Sequence, residues 1–342
     1  MTEMTMTRKS SLSVKDKEKP FILIGAIIFG IIINRLVDGG LPDLLWLVNA
    51  GLFVVITAIM LFVEVKEVGR AFTKVKPTTL ALVTNFVFIP AFAWFLGWLF
   101  LRNYPDLWAG VVLYQLTPCI GWYLIFIDLA EGDVPWGVAL MPWNIVLQVV
   151  LLPLYVYLLI GQVIPIDVGT LLYSVGSFLL LPLLVGWIGR EVLRRWRGDE
   201  FFNGPFKQKM GDVKLWALVV IIIAIFASQE ALSLHDFGQV ALIIFVTSLF
   251  FTAMFLIGLV VGKGFRLGYE DTTTLIFTST ARNSELVIGV AVTAFPGRPL
   301  VYLAILIGPI VELPVLLLLS RIMLALRGRL WRSRPLPATI ES

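Results

Sequence analysis

A chain of 342 residues that is 58% hydrophobic and only 15% charged, with a mean hydropathy of +0.91, is too apolar for a soluble domain. It is a polytopic membrane protein, long enough for a full helical bundle and too short to add a large soluble domain. The net charge of +4 is no nucleic-acid signal, because the basic residues fall between apolar spans, and one cysteine excludes a disulfide within the chain.

A membrane-spanning helix takes about 20 mostly apolar residues. Residues 1–19 are polar, carry Arg8, Lys9, Lys15, Lys17 and Lys19, and form a predicted N-terminal tail. No apolar core with a small-residue cleavage site precedes the first span, so no secretory signal is expected. The first half of the chain predicts spans over 20–37, 44–64, 79–101, 107–128 and 135–160. The second half predicts 167–189, 213–231, 237–262, 270–295 and 300–326, then a tail over 328–342. The basic stretch from Arg194 to Lys214 reads as the longest loop, and the spans divide into two units, 20–162 and 163–327.

The distribution of Lys and Arg supports an even number of spans. With both termini on the cytoplasmic side, 23 of the 27 basic residues fall in cytoplasmic segments. Arg35, Arg102 and Arg298 lie outside, and Arg282 lies within a span. Such a bias sets orientation, so the sequence predicts a multi-pass protein of an energised cell membrane with both ends inside. Five spans per half give the halves opposite topology, and the order of features repeats. Thr84-Asn85 in the third span matches Thr247-Ser248 in the eighth, and Pro142-Trp143-Asn144 in the fifth matches Pro309 to Pro314 in the tenth. The expected fold class is therefore all-α, with ten transmembrane helices in two inverted five-helix repeats.

The fourth and ninth spans are interrupted by polar residues, Gln115-Leu116-Thr117-Pro118-Cys119-Ile120-Gly121 and Thr278-Ser279-Thr280-Ala281-Arg282-Asn283-Ser284-Glu285. A helix broken inside hydrocarbon survives only where it lines a protected cavity, and paired breaks in corresponding spans point to the site of a secondary transporter. Cys119 is either a small buried hydrophobe or, at the start of the second half-helix, a good ligand for soft species such as Cu(I) or a trivalent metalloid. A single thiol is too little for a structural metal site and suits a substrate that must also leave.

Three costly ionisable residues lie deep in the spans: Arg282, Glu285 and Glu312. Arg282 and Glu285 are close enough on a helical turn to form a structural ion pair. Glu285 is either that partner or a carboxylate offered to a coupling cation or proton. Glu312, between Pro309 and Pro314, has no basic residue near it in sequence. It is either a neutral packing residue or a carboxyl that takes up and releases a proton in each cycle. Asn85, Asn144, Gln148 and Asn283 either line a site for a hydroxylated substrate or Na+, or join helices through hydrogen bonds. No HExxH, GxSxG or Walker-type phosphate loop is present, and no cofactor, ATP-driven pumping or enzymatic activity is expected.

Cys119-Ile120-Gly121-Trp122, leading into Asp128-Leu129-Ala130-Glu131-Gly132-Asp133, resembles the fourth helix and following loop of the arsenite efflux permeases. These belong to the bile acid, arsenite and riboflavin transporter superfamily. Asn144 with Gln148 resembles their fifth helix, Asn283-Ser284-Glu285-Leu286 their broken ninth, and Val311-Glu312-Leu313-Pro314-Val315 their tenth. The resemblance implies ten helices with helices 4 and 9 crossing, and export of arsenite or antimonite by proton antiport. It places the essential cysteine at Cys119, as ligand of As(III) or Sb(III), and the proton-linked glutamate at Glu312. Thr117, Asn144, Gln148 and Asn283 would hold the substrate, while Glu285 and Asn85 would assist ion coupling. The chain departs from the family at Pro118, where arginine or alanine is common, and at Arg282, where a neutral residue is common. The sodium-coupled organic-anion branch shares the crossed helices and Leu129-Ala130-x-Gly132-Asp133. On that alternative Arg282 counters an anionic substrate, and Asn85, Glu285 and Asn283 build a Na+ site. The expected partners are thus a small substrate, a coupling ion and the lipid bilayer.

Overall fold

A computed structural model describes residues 14–37, 44–62, 74–228 and 237–331, and within them every regular element is helical. The chain runs through α1 (Val14–Leu36), α2 (Leu45–Met60), α3 (Val75–Phe100), α4 (Pro105–Gln115), α5 (Tyr123–Leu129) and α6 (Val134–Ile160). It continues through α7 (168–201), α8 (Lys207–Ser228), α9 (Phe237–Gly264), α10 (Tyr269–Thr280), α11 (Ser284–Ala294) and α12 (Pro299–Leu330). Five helical stretches are long and apolar enough to cross a membrane: Val75–Phe100, Val134–Ile160, Leu181–Ala227, Gly238–Gly264 and Pro299–Leu330. The protein is thus an all-helical, multi-pass membrane protein.

Local chemistry sets the helix starts. Asp133 caps α6 by accepting from the Trp136 N–H at 2.9 Å, and Asp167 caps α7 by accepting from the Thr170 N–H at 2.6 Å. Proline occupies the first turn of α4, α6 and α12, where a missing N–H costs nothing. The helix ends agree with the sequence reading in most places. Two differ. The predicted tail over 1–19 is already helical from Val14. The stretch from Arg194 to Lys214 is not an open loop: α7 runs on to a kink at Gly198 and a further turn ends at Phe201, and α8 begins at Lys207. Its Arg, Glu, Lys, Gln and Met are good helix formers, and Arg195 pairs with Glu191 one turn back at 2.9 Å. The chain turns instead at Gly198, whose φ of 82° favours glycine, and at Gly204. The tail up to residue 13, most of the segment 65–78 between the second and third predicted spans, and residues 332–342 lie outside the described residues.

The helices pack in two groups. α8 lies between α1 and α2, and α7 packs on α2. In the second group α4 and α9 both pack on α12, α10 packs on α9, and α3 packs on α4. Helix α11 reaches across, touching α12 on one side and α2 and the start of α7 on the other. Within the second group ionic ties join the helix ends. Lys74, just before α3, bonds Asp133 at 2.5 Å and also Asp271, while Arg298 bonds Asp106 at 2.5 Å. Partial burial pulls the Lys74 ammonium down, but the hydrogen bonds and charges of its two carboxylates outweigh that and hold it above the usual lysine value. The sign of that shift makes the tie present at neutral pH and lost only as pH rises through the raised value.

The α4–α12 contact is close-packed at the backbone. A Cβ on Gly110 would lie 2.5 Å from the Val301 carbonyl oxygen and 2.8 Å from the Ala304 Cβ. Small residues permit such backbone approach in a membrane bundle. Gly110→Val is therefore expected to force α4 and α12 apart and to cost about 1–3 kcal/mol or more, read as a lower thermal unfolding midpoint in detergent.

Candidate functional site

The two helix breaks meet. α4 ends at Gln115 and α5 starts at Tyr123; α10 ends at Thr280 and α11 starts at Ser284. Between them Pro118 and Arg282 face each other as one antiparallel β-bridge. The Cys119 N–H donates to the Ala281 carbonyl at 3.0 Å, and the Asn283 N–H donates to the Thr117 carbonyl at 2.9 Å. Those bonds flank the facing pair, so the N–H and C=O groups of the pair itself point outward. Proline fits there because that position needs no donor to the ladder. The outward Arg282 N–H is left to donate to Glu312 Oε1, at 3.2 Å. The Thr117 hydroxyl sits 3.1 Å from both the Tyr114 and the Asn283 carbonyls, and its single proton serves one at a time. The Asn283 side chain caps α11 by accepting from the Leu286 N–H at 3.1 Å.

Arg282 is buried, at 3% exposed, and among the described residues its guanidinium donates to neutral oxygens. Nε reaches the Thr280 carbonyl at 3.3 Å and one terminal nitrogen the Gln115 carbonyl at 3.1 Å. The other terminal nitrogen bonds Asn85 Oδ1 at 3.2 Å and the Ser279 carbonyl. The Phe250 ring lies over the group, 5.7 Å away. The ion pair expected between Arg282 and Glu285 is not formed. Arg282 is extended rather than helical, so a spacing of three no longer stacks the two side chains. Glu285 sits instead in the first turn of α11, where the helix dipole favours a carboxylate. Glu312 has no basic residue near it in sequence, and in the fold it accepts from the Arg282 backbone N–H and from the Tyr114 hydroxyl.

A cavity of about 550 Å³ opens beside the crossing. Cys119, Arg282, Asn283, Glu285 and Glu312 line one wall; α2 and α8 supply the other, with Ala58, Ile59, Lys207 and Lys214. The Cys119 sulfur lies near the backbone N–H groups of Gly121, Trp122 and Tyr123, in keeping with its place ahead of α5. The remaining sequence candidates do not line this cavity. Thr117 is used up within the crossing. Asn85, in a π-helical stretch of α3 (Thr84–Phe88), holds Arg282 and donates to the Thr278 carbonyl at 3.4 Å. Asn144 donates to the Thr278 hydroxyl at 3.4 Å. Its Oδ1, and both amide atoms of Gln148 and Gln115, have no hydrogen-bond partner among the described residues. Sequence reasoning missed Tyr114, Lys207, Lys214 and Phe250. Only Tyr114 carried a signal, a phenol one turn ahead of the break; the others reach the site from helices distant in sequence.

Half-helices broken and crossed inside an apolar bundle, beside a cavity with buried charge, point to a membrane transporter. Residues 49–236 match the Sodium Bile acid symporter family, and the chain belongs to it. The chain is similar to the arsenical-resistance protein Acr3 of Corynebacterium glutamicum, with 28% identity over 365 residues, covering 100% of this chain and 98% of that protein. It is also similar to the arsenical-resistance protein Acr3 of Alkaliphilus metalliredigens, 26% identical over 284 residues and 79% of each chain. An uncharacterized transporter of Synechocystis is 27% identical over 297 residues, covering 79% of this chain and 76% of that one.

The crossing predicts its own sensitivity. Thr117→Val keeps the shape and removes the buried hydroxyl that bonds the two breaks. It is expected to cost about 1–3 kcal/mol of stability, whereas Thr117→Ser retains most of it; thermal unfolding of the purified variants checks the order.

Proposed function

We propose that this transporter exports arsenite or antimonite from the cell in exchange for protons. The observation that carries the reading is that one thiol and one buried carboxylate line the same cavity and are joined through the crossing. The Cys119 N–H bonds the Ala281 carbonyl, and the next residue's N–H bonds Glu312. Arsenite is neutral As(OH)₃ at neutral pH and thiophilic. It condenses with the thiol, forming a sulfur–arsenic bond and releasing water, and hydrolysis of that bond frees it again. Asn283 and Glu285 on the wall accept hydrogen bonds from the remaining hydroxyls. Thr117, Asn85 and Asn144 act behind the wall, as supports of the crossing. Glu312 takes a proton from outside as the substrate leaves and releases it inside, resetting the carrier. Two relatives that carry the name arsenical-resistance protein support this reading.

In this reading the helices form ten spans. α4 with α5 makes the fourth and α10 with α11 the ninth, in inverted repeats over 20–162 and 163–327. Both termini are cytoplasmic, following the Lys and Arg bias, and the cavity beside Lys207 and Lys214 opens inward. The same two lysines favour a second reading, a Na+- or H+-coupled carrier of a small organic anion.

Everted membrane vesicles energised with a proton gradient separate the two. Wild-type vesicles are expected to accumulate arsenite until an uncoupler is added. Cys119→Ser is expected to accumulate none above background, and Glu312→Gln to lose uphill accumulation. Vesicles with inserted protein that ignore arsenite but take up an organic anion when Na+ is supplied, unaffected by Cys119→Ser, would establish the second reading instead.

A further inference from the structure

We propose that the Arg282 guanidinium is a built-in monovalent cation, seated in an oxygen cage that would otherwise take Na+, so that the crossing closes without a bound metal ion. The cage is set by the helix breaks. Gln115 is the last residue of α4, and Ser279 and Thr280 are the last residues of α10. The final carbonyls of a helix have no partner within it, and together they carry roughly half a negative charge. Two such ends converge on one buried point, so the crossing holds the equivalent of about one negative charge. That arrangement, half-helix C-termini and freed carbonyls, is one that coordinates Na+ in carriers.

Here the carbonyls of Gln115, Ser279 and Thr280, with Asn85 Oδ1, all accept from the one guanidinium. Three backbone carbonyls and one amide oxygen are the hard, neutral donors that suit a hard cation. Among the described residues no carboxylate accepts from the guanidinium; Glu312 engages the backbone N–H of Arg282 and leaves its side chain to the cage. The chain thus supplies covalently what a free ion would supply by binding. A tethered charge also makes no contribution to ion flux, which leaves the carboxylates on the cavity wall as the groups that exchange an ion with solution. The inference rests on the reading of the chain as a secondary carrier and not on its substrate.

Thermal unfolding in detergent, without arsenite, tests it in NaCl against choline chloride at equal ionic strength. The wild type is expected to unfold at the same midpoint in both salts. Arg282→Ala opens the cage, and Arg282→Gln opens it with less lost volume. Each is expected to unfold lower in choline chloride and to regain about 2–4 °C or more in NaCl, as a ligand of the folded state does. Sodium stabilisation of the wild type would overturn the proposal. So would neutral variants that unfold alike in the two salts, whether folded at the start or not. Arsenite transport does not enter the measurement, so a failed export assay leaves this result to stand or fall separately.

Discussion

A helix interrupted inside a bilayer releases backbone donors and acceptors that lipid cannot satisfy, each at a cost of several kcal/mol. In this protein two interruptions answer one another. The strand-like residues 117–119 and 281–283 exchange two backbone hydrogen bonds, and the Thr117 hydroxyl adds a third tie. The helix ends left on either side are met by other groups: an asparagine cap on α11, the guanidinium on the ends of α4 and α10, and the thiol sulfur ahead of α5. Every side chain given a role depends on this crossing for its position.

The geometry of a single β-bridge also explains why the thiol and the carboxylate are connected. Pro118 and Arg282 face each other in the register that frees their own N–H groups. Proline has none to free, and the one from Arg282 goes to Glu312. A change in protonation at Glu312 therefore acts directly on the backbone that positions Cys119. Around this joint the helices are held rigid. The α4–α12 contact has no room for a Cβ at Gly110, and Gly308 admits the Tyr114 ring whose hydroxyl meets Glu312. The ties Lys74–Asp133–Asp271 and Arg298–Asp106 hold the ends of the same helix group. The cavity falls where that group meets α2 and α8, which is where relative movement would open or close it.

Membrane class and helix positions were legible in the sequence, because a bilayer imposes a length and a polarity on each span that can be read residue by residue. The two breaks were legible for the same reason: Thr117, Arg282 and Asn283 are too polar for lipid. The course of the chain from Arg194 to Lys214 was not. Its charge suggests a loop, while its helix formers and the turns at Gly198 and Gly204 make two helix ends instead.

The partners of the buried charges were invisible for a different reason. Arg282 and Glu285 are near in sequence, but the extended backbone between α10 and α11 turns one into the cage and the other onto the cavity wall. Arg282 and Glu312 are 30 residues apart and touch; Arg282 and Asn85 are 197 apart and touch as well. Composition and periodicity fix what each span must be, since they report the solvent each residue meets. Which polar groups satisfy one another is decided only when the helices cross, because a hydrogen bond depends on distances of a few tenths of an ångström between segments the sequence keeps far apart.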